Sequence, residues 1–430
     1  MTATQVGYGR VFGWVKPLLA GMHATVSTVV TRAVLSLLVA QRVTPAALAR
    51  ALPAAEAGSG RSCLRRVRRW WGGPPLDQTV VSPQLVAQAL ALLPPGQAVL
   101  VALDTTRLGR WEVWLAGIVV QGRTLPIGWA VCPYPWPEGR FRSTTLALIQ
   151  RVQAAFPPDV RWRLVADRGF PRAALFAQLR QGGTAWRVRL RLSDWITVAG
   201  VYAPVVQPLG AGRLRVGQRT PASIGRGTPA SPLVPAWVVV NDVPAALPKH
   251  KRNPGTAQER ARRAKAHAQH HAHKRGRKTK PPSAAAQHYA QTWVLFTAAA
   301  TVQQAVTAYA GRMSIEETYR DWHSGWGVRA AVVDLPSEAM VERLIGVVCL
   351  TYLLQMQLGQ RLSSDPVGQR RRAQWTVTGR VSWFWCGQHL FHDPGYDWST
   401  WLDRQWDTFG TAPPVDHPTP VSPPAVALAA

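Results

Sequence analysis

Ala98-Val99-Leu100-Val101-Ala102-Leu103-Asp104-Thr105-Thr106 is the stretch on which the fold turns. Its continuous apolar run has the pattern of a strand buried on both faces, and it stops at an acid. Further on, Arg163-Leu164-Val165-Ala166 repeats the pattern and stops at Asp167-Arg168-Gly169-Phe170. In open α/β sheets, ligands gather at the carboxyl ends of strands, which is where both aspartates are expected. Between the two runs, Trp111 to Val120 and Thr124 to Val131 flank Gln121-Gly122-Arg123, a glycine-bearing link of hairpin type. The order becomes strand, hairpin, helix near Ser143 to Phe156, strand, then a helix from about Pro171 to Gln181. Arg187-Val188-Arg189-Leu190 adds a fifth strand.

A second pattern lies far downstream, Tyr309-x2-Arg312-x3-Glu316-x6-His323. On an α-helix of about 3.6 residues per turn, offsets of three, four and seven return to one face. Tyr309, Arg312, Glu316, Arg320 and His323 therefore form a single stripe, polar where a packing helix is apolar. Glu317 is the rival carboxylate, rotated about 100° off that stripe. Plainer readings exist for each part. An aspartate after a strand is often a turn or helix cap. The Arg312, Glu316, Arg320 ladder also suits a solvated face worth about 0.3–0.5 kcal/mol per pair. The ordered trio of acids with the Tyr/Arg/Glu spacing favours a site.

On these residues the chain resembles the DDE-type insertion-sequence transposases, in the group with a Y-x2-R-x3-E-x6-K signature. Asp104, Asp167 and Glu316 match the three acids, Tyr309 and Arg312 are in place, and His323 stands where the family has lysine. The resemblance implies an α/β fold, an RNase H-like mixed sheet core with a β-rich insertion, plus helical N- and C-terminal regions. It implies a hydrolytic nick that frees a 3′-hydroxyl, then attack of that hydroxyl on target DNA. The cofactors expected are two Mg²⁺ or Mn²⁺ ions, since two hard cations about 3.5–4 Å apart activate water and stabilise the leaving oxygen. Asp104 is expected to bridge both ions, with Asp167 and Glu316 each completing one coordination sphere. Tyr309, Arg312, Arg320 and His323 are expected to hold the DNA end. Two further readings stay open: a DNA-binding protein that keeps the fold without the reaction, and a metal-dependent nuclease without strand transfer.

Charge agrees with a nucleic-acid partner. Lys+Arg 50 against Asp+Glu 22 gives +28, and neutralising phosphates releases counterions. Most of the excess is arginine, which also fits a GC-rich genome. Six of the seven lysines fall between Lys249 and Lys280, a segment with the single acid Glu259. With little apolar content beyond alanine, it reads as an arm that tracks DNA, with Lys274, Arg275, Arg277 and Lys278 as its densest cluster. Its clustered histidines, His267, His270, His271 and His273, lack the cysteine or carboxylate company of a metal site.

The domains expected are a helical DNA-binding region at 1–95, a catalytic core at 96–192 and 291–335, a β-rich insertion at 193–290 with the basic arm 249–280, a helical region at 336–412, and a disordered tail at 413–430. In the first of these, Thr44 can cap a helix beginning at Pro45. Arg65, Arg66, Arg68 and Arg69 alternate with an apolar stripe at Leu64, Val67 and Trp71, as in a helix that packs with one face and grips phosphate with the other. Val341 to Leu358 reads as a buried helix over the sheet, too short and interrupted to span a bilayer. Residues 17–39 read as neither signal peptide nor membrane span. Cys63, Cys132, Cys349 and Cys386 show no paired spacing, as expected of reduced thiols in a prokaryotic cytoplasm. The partners expected are double-stranded DNA, as terminal repeats and target, and a second copy of the chain in a synaptic complex, with no membrane.

Overall fold

The run from Ala98 forms β1 (Val99–Leu108), and the hairpin after it is β2 (Trp111–Val120) and β3 (Arg123–Pro133). Gln121 and Gly122, at φ 48° and 73°, make the link. Two consecutive positive φ values give a turn whose twist matches that of the strands it joins. Further along lie α6 (Arg140–Ala155) and β4 (Trp162–Ala166), and the strand order is β3-β2-β1-β4. The first three strands are antiparallel, while β4 runs parallel to β1. This is a mixed α/β fold of the RNase H-like kind.

The computed structural model describes residues 3–52, 59–170, 172–229, 231–242, 292–366, 368–370, 382–392 and 401. They divide between two compact units, the first drawn from 1–167, 178–185 and 308–430, the second from 168–177 and 186–307. The basic arm, with Lys274, Arg275, Arg277, Lys278 and its histidines, and the tail from 413 lie outside the described residues.

In the first unit, five helices precede β1: α1 (Ala3–Leu18), α2 (Ala24–Ala40), α3 (Pro45–Arg50), α4 (Gly60–Trp71) and α5 (Gln78–Leu90). The Thr44 hydroxyl accepts the Ala47 N–H at 3.4 Å, with Pro45 opening α3, as expected. On α4 the buried side chains are Cys63, Val67, Trp70 and Trp71, so the apolar stripe is centred one position away from Leu64, which is only half-buried. α7 (Ala173–Gln181) and β5 (Ala185–Arg189) follow β4.

From Val302 onward come α9 (Val302–Ala310), α10 (Met313–Arg320), a π turn (Asp321–Gly325), α11 (Val328–Val333), α12 (Glu338–Ser364) and α13 (Trp383–His392). α12 is longer than the apolar run suggested. By length and composition it is one helix that could cross a membrane, yet 83% of its apolar window is buried inside the protein. It packs on β3, α2 and α13. Gly346 lets it approach the sheet, since a Cβ there would lie 2.8 Å from Leu76 and 2.9 Å from Trp129. Its polar residues are matched: Gln41 donates to Gln355 at 2.9 Å and accepts from the Trp326 indole at 2.8 Å. Unmatched, each such group would cost about 1–3 kcal/mol. Cys63, Cys132, Cys349 and Cys386 are all buried.

The second unit is β-rich, as its short β-branched runs suggested. β6 (Trp195–Val198), β7 (Val201–Pro204), α8 (Val206–Gly210), β8 (Arg219–Ile224), β9 (Val234–Asp242) and β10 (Thr292–Thr297) follow one another. With β5, the strand order is β5-β10-β9-β8-β6-β7. Its core gathers Phe176, Trp186 and Phe296, with ring centroids 4.9–6.3 Å apart.

Candidate active site

Asp104 is not at a strand end. β1 continues four residues beyond it, because the hairpin ladder with β2 runs on to Leu108↔Trp111. What ends beside Asp104 is the parallel ladder, whose last pair is Leu103↔Ala166. Asp104 and Asp167 are thus the next residues on adjacent strands, and the strand-end reading holds for Asp167 alone.

The downstream stripe is likewise not one α-helix. α9 stops at Ala310 and α10 starts at Met313. Gly311, at the break, lies close to β1: a Cβ there would meet Leu100 at 3.3 Å. After Arg320 the backbone widens into the π turn, closed by the Trp326 N–H donating to the Asp321 carbonyl at 3.1 Å. Tertiary contacts hold these departures from regular helix. Arg123 Nε donates to Asp321 at 2.7 Å, and the Tyr352 hydroxyl donates to the same oxygen at 2.9 Å.

The break brings Arg312 between the acids. Its guanidinium donates to Asp104 Oδ2 at 3.0 Å and to Glu316 Oε1 at 2.8 Å. The Tyr309 hydroxyl donates to Asp167 Oδ1 at 3.0 Å, and the Arg312 guanidinium carbon lies 5.7 Å from the Tyr309 ring centroid. Arg312 is buried, with 7% of its side chain exposed, against 19% for Asp104 and 44% for Glu316. Three acids far apart in the chain therefore surround one buried cation.

Electrostatics follows from that burial. Desolvation pushes the Asp104 carboxyl up to about 6, against the pull of Arg312 and of the Thr105 N–H, while Asp167 and Glu316 add to the rise. Burial also penalises the Arg312 charge, but Tyr309 and the three acids more than offset it, and the guanidinium is held above its ordinary range. Among the described residues, no three His, Cys, Asp or Glu side chains already close on one point as metal ligands do.

The other expected residues separate. Arg320 turns to Glu317 at 2.5 Å instead of joining the cluster. His323 Nε2 lies 3.1 Å from the Thr106 hydroxyl, and its buried Nδ1 finds no hydrogen-bond partner among the described residues. Burial, then Arg329, holds this imidazole below its ordinary range. It is neutral at physiological pH, which removes the fixed charge a phosphate clamp needs. Arg65, Arg68 and Arg69 are exposed and Arg66 half-buried on α4, which packs on α2, α3 and α12. Sequence reasoning passed over Tyr319 and Thr106. Tyr319 is buried and its hydroxyl donates to the Asp104 carbonyl at 3.0 Å. Thr106 alternates with Asp104 along β1, the one available signal, and no motif marks Tyr319.

Residues 143–354 match the family model described as Transposase DDE domain. Asp167, Tyr309, Arg312 and Glu316 lie inside the match, and Asp104 precedes it. No curated protein matches the chain. With the RNase H-like strand order and the gathered acids already in place, the match supports a DDE-type transposase, a family that acts on DNA and uses divalent metal ions.

Proposed function

We propose that this transposase cuts DNA at the ends of its element and joins the freed 3′-hydroxyl to target DNA, with Asp104, Asp167 and Glu316 as its catalytic carboxylates. The observation that carries this reading is the single Arg312 guanidinium held between Asp104 and Glu316 beside the Tyr309–Asp167 pair. The donor set fits Mg²⁺ or Mn²⁺ by its chemistry: all three groups are hard carboxylates, and two of them, Asp104 and Glu316, already share one cation, the Arg312 guanidinium. Two such ions, held by Asp104, Asp167 and Glu316, would supply Lewis-acid stabilisation and an activated water.

The protein's own residues do the rest. Arg312 is preformed in a water-poor setting, where a charge-assisted contact to a backbone phosphate is stronger than in solvent. The Tyr309 hydroxyl, which donates its single proton to Asp167, holds that carboxylate beside the DNA end. Arg65, Arg66, Arg68 and Arg69, with Arg320 and the arm residues Lys274, Arg275, Arg277 and Lys278, supply non-specific contacts to the duplex backbone, consistent with the net charge of +28. Two copies, each holding one element end, form the working assembly.

The test is incubation with DNA carrying the element's terminal repeats, with and without Mg²⁺, for wild type, Asp104→Ala and Glu316→Ala. Metal-dependent cleavage by wild type that both substitutions abolish supports the assignment. Cleavage that survives both substitutions removes the two residues from the chemistry. Cleavage without joining identifies a nuclease, and DNA binding without cleavage identifies a protein that has kept only the fold.

A further inference from the structure

We infer that Tyr319 and His323 are positioning residues: a stacked pair on α10 and the π turn that clamps β1 at Asp104 and Thr106 and so aims the Asp104 carboxylate. The inference rests on the proposed role of Asp104 and deepens it. Three observations carry it. The Tyr319 hydroxyl donates to the Asp104 backbone carbonyl at 3.0 Å, and His323 Nε2 meets the Thr106 hydroxyl at 3.1 Å. The two rings are stacked, 6.2 Å between centroids and 17° between planes, so neither swings alone. The widened turn seats His323 there, anchored at its first residue by Arg123 and Tyr352.

The clamp has a mechanical purpose. β4 stops pairing with β1 at Leu103, so beyond that point one side of β1 has lost its ladder partner. A carboxylate in that position, with Thr105 N–H as its own backbone donor at 2.8 Å, moves with the strand. Fixing the carbonyl of Asp104 and the hydroxyl two residues on removes that freedom. Displacement of a reacting group by about 1 Å can cost a hundredfold in rate, so a hydrogen bond away from the chemistry can matter this much.

This assigns His323 a different task from the lysine expected at its position. An ammonium there would reach for phosphate, whereas a neutral imidazole holds a hydroxyl. The two roles separate under substitution. His323→Gln keeps a polar atom at the reach of Nε2, and His323→Lys restores the charge but loses the flat ring and the Thr106 contact.

The experiment compares full-length wild type, Tyr319→Phe, His323→Gln and His323→Lys in three measurements. These are affinity for a terminal-repeat duplex, cleavage rate at saturating DNA with Mg²⁺, and amide hydrogen exchange of the peptide spanning β1 in DNA-free, metal-free protein. The clamp predicts that Tyr319→Phe and His323→Lys speed β1 exchange by about tenfold and slow cleavage by about tenfold or more, with DNA affinity changed less than about twofold. His323→Gln loses less than His323→Lys on both counts. If His323→Lys instead tightens DNA binding and keeps its rate while His323→Gln weakens binding, His323 is a phosphate contact and the inference falls. Unchanged β1 exchange in Tyr319→Phe and His323→Lys also overturns it. Because exchange is read without metal or DNA, a wild type that shows no cleavage would sink the proposed function, while the exchange rates of β1 would still decide for or against the clamp.

Discussion

Replacing Arg123 by methionine removes the cation that anchors the π turn and leaves its straight stem largely intact. In the native protein Arg123 Nε and Asp321 Oδ2 are 2.7 Å apart, with 17% and 12% of the two side chains exposed. Breaking a buried pair costs about 3–5 kcal/mol, because one charge stays behind without its partner. Residual exposure screens part of that, and the Tyr352 hydroxyl still serves Asp321, so the expected loss is about 2 kcal/mol near neutral pH. The sign of the pH dependence follows from Asp321. Burial raises its carboxyl above the ordinary value, with Arg123 as the leading counterweight. A raised carboxyl favours the fold when protonated and costs stability once pH climbs through its range, and removing Arg123 raises it further. The deficit of Arg123→Met should therefore shrink between neutral pH and mild acid, as Asp321 takes up a proton and no longer needs a cation. Urea unfolding followed by circular dichroism at the two pH values measures it. A loss below about 0.5 kcal/mol near neutrality, or a deficit that grows in acid, refutes the reasoning.

Two other substitutions probe the same framework. His323→Gln should reduce sensitivity to mild acid: the native imidazole is held neutral below its ordinary range, so its contribution is present above about pH 6.5 and is lost as pH falls, when the unfolded chain takes up the proton. Parallel stability curves for the variant and wild type between about pH 7.5 and 5.5 would contradict this. Gly117→Ala should destabilise by about 1–3 kcal/mol, because its Cβ would lie 2.5 Å from the Leu125 carbonyl oxygen, where the β2–β3 register shifts. A thermal melt identical to wild type would show that the bulge relaxes freely.

Much of the fold was legible because apolar runs follow backbone geometry. The strand through Ala98 to Leu103, the Gln121-Gly122 turn and the Thr44-Pro45 helix start all rest on local chemistry. Local chemistry did not reveal that β1 outlasts its apolar run. Thr105 and Thr106 pair with Trp114 and Val113 whatever their polarity, because the hairpin ladder carries them.

The sequence named Asp104, Asp167, Tyr309, Arg312 and Glu316 as residues to bring together, from acids that follow apolar runs, from the Tyr/Arg/Glu spacing and from the family resemblance. Tertiary structure alone decided how they meet. Gly311 splits the expected helix, Arg312 enters between two acids, and Arg320 leaves for Glu317. The backbone widens at Asp321 because Arg123 and Tyr352, distant in sequence, hold that carboxylate. Such contacts bend a helix against its period and bring a histidine beside Thr106, and no window of neighbouring residues records them.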